Sequence, residues 1–287
     1  AAREEGVQYS ANDRGDRLYI LTNADGAIDF KVVTAPLVAP ERANWRDLIP
    51  YREGIYVLDV ELYAGHMVRL ERAQALPAIV IRDLEAGTEH AIAFDEAAYS
   101  LDTMGGYEFD TTNLRFSYSS MTTPSEVYDY DMAKRTRVMR KRQEIPSGHD
   151  PADYVTTRIM ARSHDGAEVP VSILHRKDFV RDGKAPLLLY GYGSYGMAMP
   201  ASFNANRLSL VDRGFIYAIA HIRGGSDKGW GWYLDGKREN KTNTFDDFAA
   251  AARALIDTRY TGTKRIVGHG GSAGGMLMGA VANRAGE

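Results

Sequence analysis

Apolar residues are spaced in two different ways along this chain, and the change falls near residue 145. Before it, short apolar segments recur at residues 17–22, 30–34, 54–60, 67–70, 78–83, 90–94, 114–119, 127–130 and 137–141. Alternation over roughly four to eight residues puts one set of side chains on each face of an extended chain, so these segments predict strands. Turn formers separate them: Asn23-Ala24-Asp25-Gly26 marks a hairpin, and Glu85-Ala86-Gly87-Thr88 and Thr122-Thr123-Pro124-Ser125 follow. Residues 1–145 therefore read as an all-β unit: a sandwich, a barrel or a propeller. At ~40–45 residues per four-stranded blade, a propeller reading leaves room for about three blades, although no crisp repeat motif recurs.

Pro146-Ser147-Gly148-His149-Asp150-Pro151 reads as a linker, and residues 146–287 have the texture of alternating strands and helices. Residues 185–190 (Ala-Pro-Leu-Leu-Leu-Tyr) and 214–220 (Gly-Phe-Ile-Tyr-Ala-Ile-Ala) are runs of the kind buried on both faces of a parallel sheet. Thr244-Phe245-Asp246-Asp247 reads as a capping box with Asp in place of Glu, opening a helix with Phe245, Phe248, Ala252, Leu255 and Ile256 on one face. A short buried strand at 265–268 and an apolar helix at 273–283 then flank Gly270-Gly271-Ser272-Ala273-Gly274-Gly275. G-x-S-x-G between a strand and a helix is the nucleophile elbow, a sharp turn that exposes a serine and leaves little room for a Cβ beside it. Ser272 is accordingly the candidate nucleophile. The order of elements is that of a partial α/β-hydrolase fold with a mostly parallel sheet.

Other motifs are weaker. Gly191, Gly193 and Gly196 match the dinucleotide pattern G-x-G-x-x-G, but Pro200 obstructs the helix that pattern requires, and the next strand ends in His221 instead of an acidic ribose ligand. A loop crossing the top of the sheet fits better. A tyrosine there could donate its hydroxyl to a developing oxyanion, or simply pack as a turn aromatic. His221 and His269 are the histidines nearest to the elbow in sequence. In this fold the base follows the serine, and no histidine follows Ser272. The other histidines lack metal-ligand spacing. The basic run Lys134-Arg135, Arg137, Arg140-Lys141-Arg142 reads as a solvated edge strand, and Asn240-Lys241-Thr242 as a chance glycosylation sequon.

Composition narrows the class. The 287 residues are 44% hydrophobic and 25% charged with a net charge of −3, which gives no electrostatic case for nucleic acid or an anionic membrane. No apolar run approaches the ~20 residues of a spanning helix. The absence of cysteine removes disulfides and thiolate chemistry and fits a reducing cytoplasm. The chain opens Ala1-Ala2-Arg3, without methionine, and a natural start upstream is expected.

Several stretches together resemble the prolyl oligopeptidase family of serine peptidases, nearest to its oligopeptidase B branch. They are residues 187–196 (Leu-Leu-Leu-Tyr-Gly-Tyr-Gly-Ser-Tyr-Gly), 212–225, 243–248 (Asn-Thr-Phe-Asp-Asp-Phe) and 270–283, with 116–124 and 127–131 similar to the last propeller blade. The resemblance implies a propeller capping an α/β-hydrolase domain, with 1–145 as its last blades and 146–287 as the first part of the catalytic domain. It implies Ser272 as nucleophile, the Tyr192 hydroxyl and the Ala273 backbone N–H as oxyanion donors, no metal or organic cofactor, and short peptides cleaved after Arg or Lys as substrates. The family's catalytic Asp and His fall beyond residue 287, and the acidic pair expected after the Tyr192 loop stands here as Pro200 and Ser202. Two rival readings are an acyl-peptide or ester hydrolase on the same scaffold and a catalytically inert, propeller-bearing interaction module. An open run of blades beside a partial sheet is expected to leave apolar edges that self-associate.

Overall fold

In the computed structural model, which describes residues 4–106 and 108–284, the alternating segments pair into three antiparallel sheets of four strands. The first holds β1 (Tyr9–Arg14), β2 (Arg17–Thr22), β3 (Lys31–Pro36) and β4 (Arg46–Ile49). The second holds β5 (Tyr56–Leu62), β6 (His66–Ala73), β7 (Leu76–Asp83) and β8 (Glu89–Ala91). The third holds β9 (Tyr99–Thr103), β10 (Asn113–Ser120), β11 (Glu126–Asp131) and β12 (Thr136–Arg142). Each sheet pairs consecutive strands, the pattern of propeller blades. Alternation does the packing: Ile79 and Ile81 of β7 and Leu114 and Phe116 of β10 are buried on one face and share a core with Tyr63, Leu101 and Tyr130. The basic run from Arg137 to Arg142 lies in β12, exposed along its length, with Arg140 paired to Asp129 and Arg142 to Glu126 across the strands, while Lys134 and Arg135 lie in the preceding turn. The segment read as a strand over 90–94 pairs only at Glu89–Ala91. Phe94 lies outside it, stacked on Tyr118.

The remaining strands form one five-stranded sheet: β13 (Tyr154–Arg162), β14 (Glu168–Arg176), β15 (Leu187–Tyr190), β16 (Ile216–Ala220) and β17 (Ile266–His269), in the order β13-β14-β16-β15-β17. β14 runs antiparallel to β13 and β16, whereas β15 runs parallel to both β16 and β17. The helices are α1 (Ala205–Val211), α2 (Trp230–Leu234), α3 (Lys241–Asp257) and α4 (Ala273–Asn283). One face of the sheet (Val171, Ile173, Leu189, Ala218) packs against Phe248, Ala251 and Leu255 of α3 and Leu277 of α4. The other (Leu174, Tyr217, Ile219) packs against Leu208 and Val211 of α1 and against Ala98 and Met121, which flank β9 and β10 of the third antiparallel sheet.

Two expectations fail here. β17 was expected to be buried. Among the described residues it pairs only with β15, and Val267 is half exposed, because nothing covers its free edge. The capping box at Thr244 does not form either. α3 begins three residues earlier at Lys241, so Thr244 lies inside the helix, where its buried hydroxyl donates to the Arg223 and Gly236 carbonyls. Asp247 is buried for a different purpose. Both its oxygens accept hydrogen bonds from the Arg223 guanidinium, one at 2.7 Å and one at 2.9 Å, and the Arg223 backbone N–H donates to it at 3.0 Å. Asp165, in the turn between β13 and β14, takes the other edge of the same guanidinium.

The hydrogen bonds from Arg223 hold the Asp165 carboxyl at a pKa of about 2, below its ordinary 3.8. A depressed carboxylate stabilises the fold above its unfolded pKa, and that contribution is lost as pH falls through the folded value. The melting-temperature gap between the parent and Asp165→Asn should therefore be full at pH 5 and close between about pH 4 and pH 2. A gap that stays constant over that range would remove the ion pair from the account. Produced by itself, the 287-residue polypeptide should also self-associate through the β17 edge. Light scattering coupled to size exclusion tests this, and a monodisperse monomer would contradict it.

Candidate active site

Parallel pairing of β15 with β17 sets Tyr190 beside His269, so the chain leaves both strands at the same end of the sheet. From β15 it enters the loop of Gly191, Tyr192 and Gly193, and from β17 it enters Gly270, Gly271 and Ser272. Carboxyl ends of neighbouring parallel strands are where α/β sheets assemble sites, because the helices leave that rim open. The two loops touch. A Cβ added to Gly274 would stand 2.9 Å from the Gly191 carbonyl oxygen and 3.7 Å from Cα and Cδ2 of Tyr192. The segment carrying G-x-G-x-x-G is a loop up to α1, as its proline predicts.

Ser272 is the residue before α4, with φ 53° and ψ −120°. Such a backbone is sparsely populated for any residue other than glycine and costs of order 1–3 kcal/mol, sustained only where the surroundings enforce it. Serine at a helix N-cap ordinarily turns its hydroxyl back to the first-turn N–H groups. Ser272 makes no such bond. The first turn is closed by backbone groups instead, Gly274 N–H to the Gly271 carbonyl and Gly275 N–H to the Ser272 carbonyl, both at 2.8 Å. Three groups at this rim consequently have no hydrogen-bond partner among the described residues: the Ser272 hydroxyl, the Ala273 N–H and the Tyr192 hydroxyl. Ser272 is exposed, while Tyr192 and Ala273 are half-buried. An exposed serine hydroxyl flanked by unpaired donors is an arrangement that could stabilise a tetrahedral oxyanion.

Two groups that sequence reasoning overlooked border this rim. Lys241, the first residue of α3, donates from its ammonium to the Gly193 carbonyl at 2.5 Å and to the Ser194 hydroxyl at 2.9 Å, and its burial pushes its pKa down. A cleft of about 440 Å³ beside Ala273 and Met276 is lined by Tyr195, Lys237, Arg238 and Lys241. Arg223 acts from below: the next residue, Gly224, accepts the Gly196 N–H at 3.0 Å. Neither role has a local signal in the sequence, because both depend on segments brought together by the sheet.

The histidines near the elbow do not reach the serine. No His or carboxylate of the described residues hydrogen-bonds the Ser272 hydroxyl. His269 lies beside Tyr190, with ring centroids 5.6 Å apart. His221 belongs to a separate set: Nδ1 donates to Asp227 at 2.9 Å and Nε2 faces the Ser172 hydroxyl at 2.8 Å. A Ser, a His and an Asp in that order make a triad by chemistry. All three are at most 2% exposed, so no substrate reaches them, and they tie β14 to the loop after β16.

Comparison with known proteins bears on the family and the fold. The model of the prolyl oligopeptidase N-terminal beta-propeller domain matches residues 1–143, and the prolyl oligopeptidase family model matches residues 201–287. Dipeptidyl aminopeptidase BI of Pseudoxanthomonas mexicana is 45% identical over 288 aligned positions, which take in 100% of this chain and 40% of the relative. Protease 2 of Moraxella lacunata is 34% identical over 99% of this chain and 41% of its own length. Among solved structures, oligopeptidase B from Trypanosoma brucei, in a closed form with covalently bound antipain, superposes with a TM-score of 0.91 at 36% identity. That match covers 99% of this chain and 41% of the other. The chain thus spans about two fifths of the length of these relatives. With its antiparallel blades, its α/β sheet and its elbow serine, the chain belongs to the prolyl oligopeptidase family.

Proposed function

We propose that this chain carries the nucleophile and oxyanion hole of a serine peptidase that acts on short peptides. The observation that carries the reading is the backbone of Ser272, strained and exposed, with its hydroxyl left unbonded at the start of α4. In the proposed reaction Ser272 Oγ attacks the peptide carbonyl while its proton passes to a histidine. We take that histidine, and the aspartate that orients it, to be residues outside 1–287, as the resemblance to the family implies. The carbonyl oxygen, now negative, accepts hydrogen bonds from the Tyr192 hydroxyl and the Ala273 N–H. Collapse of the intermediate breaks the C–N bond, and the histidine returns the proton to the leaving amine. Water then hydrolyses the acyl-Ser272 ester by the same steps in reverse roles.

Cleavage after Arg or Lys within a blocked peptide is the finer reading, supported by the resemblance to oligopeptidase B. The relative at 45% identity, named a dipeptidyl aminopeptidase, supports a second one, removal of dipeptides from a free amino terminus. A panel of short peptides with blocked or free amino termini, and with Arg, Lys or a neutral residue before the scissile bond, separates the two when given to the protein as its source produces it. Internal cuts after basic residues in blocked peptides support the first, whereas dipeptides released only from free termini support the second. Cleavage should fall by several orders of magnitude in Ser272→Ala. An unchanged rate in that variant would refute the assignment, and a parent that cleaves nothing would favour the inert module.

The elbow's own geometry yields a second expectation. A Cβ on Gly270 would lie 2.4 Å from the Gly274 carbonyl oxygen, a contact the turn cannot absorb, whereas one on Gly271 meets nothing within 4 Å. Fluorophosphonate labelling of Ser272 should therefore fall at least about tenfold in Gly270→Ala, as steric displacement of the reacting atom dictates. Gly271→Ala should label close to the parent's rate. Equal labelling of the two variants would contradict this account of the turn.

A further inference from the structure

We propose that Lys241 is a positioning residue for the oxyanion hole: by holding the Gly193 carbonyl and the Ser194 hydroxyl, its ammonium fixes the Gly193–Ser194 peptide, one residue beyond Tyr192, and so aims the Tyr192 phenol. The inference rests on the oxyanion role given to Tyr192 above.

The loop from Gly191 to Gly196 has no regular structure, and its backbone turns through positive φ at Gly193 (65°), Tyr195 (60°) and Gly196 (67°). Its two ends are tied. Gly191 N–H donates to the His269 carbonyl at 3.1 Å, Gly196 N–H donates to the Gly224 carbonyl at 3.0 Å, and the Ser226 hydroxyl donates to the Gly196 carbonyl at 2.6 Å. Between the ends lie Tyr192, Gly193, Ser194 and Tyr195. Among the described residues, the hydrogen bonds reaching these four from outside the loop and its following residue come from Lys241 alone. Without them, the Gly193–Ser194 peptide would rest only on van der Waals contact: with Gly224, where a Cβ would stand 2.0 Å from the Gly193 oxygen, and with Thr244 and Ile222 beside Gly193.

The chemistry suits the task. An ammonium carries three donors and no acceptor, so one group can hold two oxygens at once, and charge-assisted bonds to neutral acceptors exceed neutral ones in strength. No carboxylate of the described residues lies within 4.0 Å of this ammonium, so its charge is spent on the loop and not on an ion pair. Its base is rigid. α3 is fixed one turn further on by the Thr244 hydroxyl on the Arg223 and Gly236 carbonyls, and by Asp247 on Arg223.

The test is a double-mutant cycle in the protein as its source produces it, with kcat, KM and the melting temperature measured together. Lys241→Met should lower kcat about 10–100-fold with KM nearly unchanged, the size expected when a reacting group is misplaced without being removed. Lys241→Arg, which keeps charge and donors, should recover part of the loss. In a Tyr192→Phe background Lys241→Met should cost less than about twofold more, because a positioning residue has nothing left to position. If Lys241→Met does not fold, Ser194→Ala removes one of the two tethered oxygens and should lower kcat several-fold in the parent but not in Tyr192→Phe. Parental kcat in Lys241→Met, or an equal loss in both backgrounds, would overturn the role of Lys241 and leave Tyr192 in place. Parental kcat in Tyr192→Phe would instead remove the oxyanion assignment, and this inference with it.

Discussion

A guanidinium with only 4% of its side chain exposed must be met by carboxylates, and Arg223 is met by two. Burial disfavours its charge, yet the hydrogen bonds it donates to Asp247 and Asp165 outweigh that and raise its pKa. The cation also lies 5.5 Å over the Trp232 ring. A single side chain thereby joins the loop after β16, the middle of α3, the turn between β13 and β14, and α2. Removing one partner of such a pair strands the other charge in a dry site, at about 3–5 kcal/mol. The pair's value here is geometric. It fixes Gly224, which receives the Tyr192 loop, and α3, which delivers Lys241 to it.

On that rigid base the rim can hold groups that are poorly satisfied. Unpaired polar groups and left-handed backbone are unfavourable, and they persist only where neighbouring structure overdetermines them. Ser272 combines both, and its support is identifiable. The Gly270, Gly274 and Gly191 backbones pack so closely that no side chain fits between them, and Leu277 seats α4 in the core. The buried set of Ser172, His221 and Asp227 is the counter-case. Its hydrogen bonds are complete and solvent is absent, so the same three side-chain types serve packing. Residue identity does not separate Ser172 from Ser272. Access and unsatisfied valence do.

Much of this was legible in the residues. Alternation located nine strands of the antiparallel sheets, with β2 matched end to end, and the elbow helix runs over Ala273–Asn283 as its composition predicts. What escaped has a common cause. β1 (Tyr-Ser-Ala-Asn-Asp-Arg) is polar and largely exposed, and it is a strand because β2 offers it a ladder. β13 mixes Thr, Arg and Ile with no clean period, being half-buried along most of its length. Thr244 and Asp247 carry the spacing of a cap, but they serve the buried face of α3, because tertiary partners outbid the local motif. In the sequence Lys241 stands out only as the middle of a chance glycosylation sequon. Only the fold shows which carbonyl it reaches.

The loop between β16 and α2 also faces the antiparallel sheets, and this completes the constraint on the rim. Ala75 N–H, at the tip of the β6–β7 hairpin, donates to the Asp227 carbonyl at 2.7 Å, and Arg72 reaches the Ser226 hydroxyl at 3.2 Å. Asp29 accepts from Gly54 N–H in its own region and from Trp230 N–H at 2.5 Å across the boundary, while the Trp230 ring lies 6.0 Å from Tyr56. Ser226 is thus bonded on one side to the β6 strand and on the other to the Gly196 carbonyl of the Tyr192 loop. Asp227, whose backbone receives the hairpin, uses its carboxylate on His221. The residues that seat the Tyr192 loop are therefore also the residues that meet the antiparallel sheets. The geometry of Tyr192 follows from contacts made on both sides of that boundary, and sequence patterning on either side alone could not have specified it.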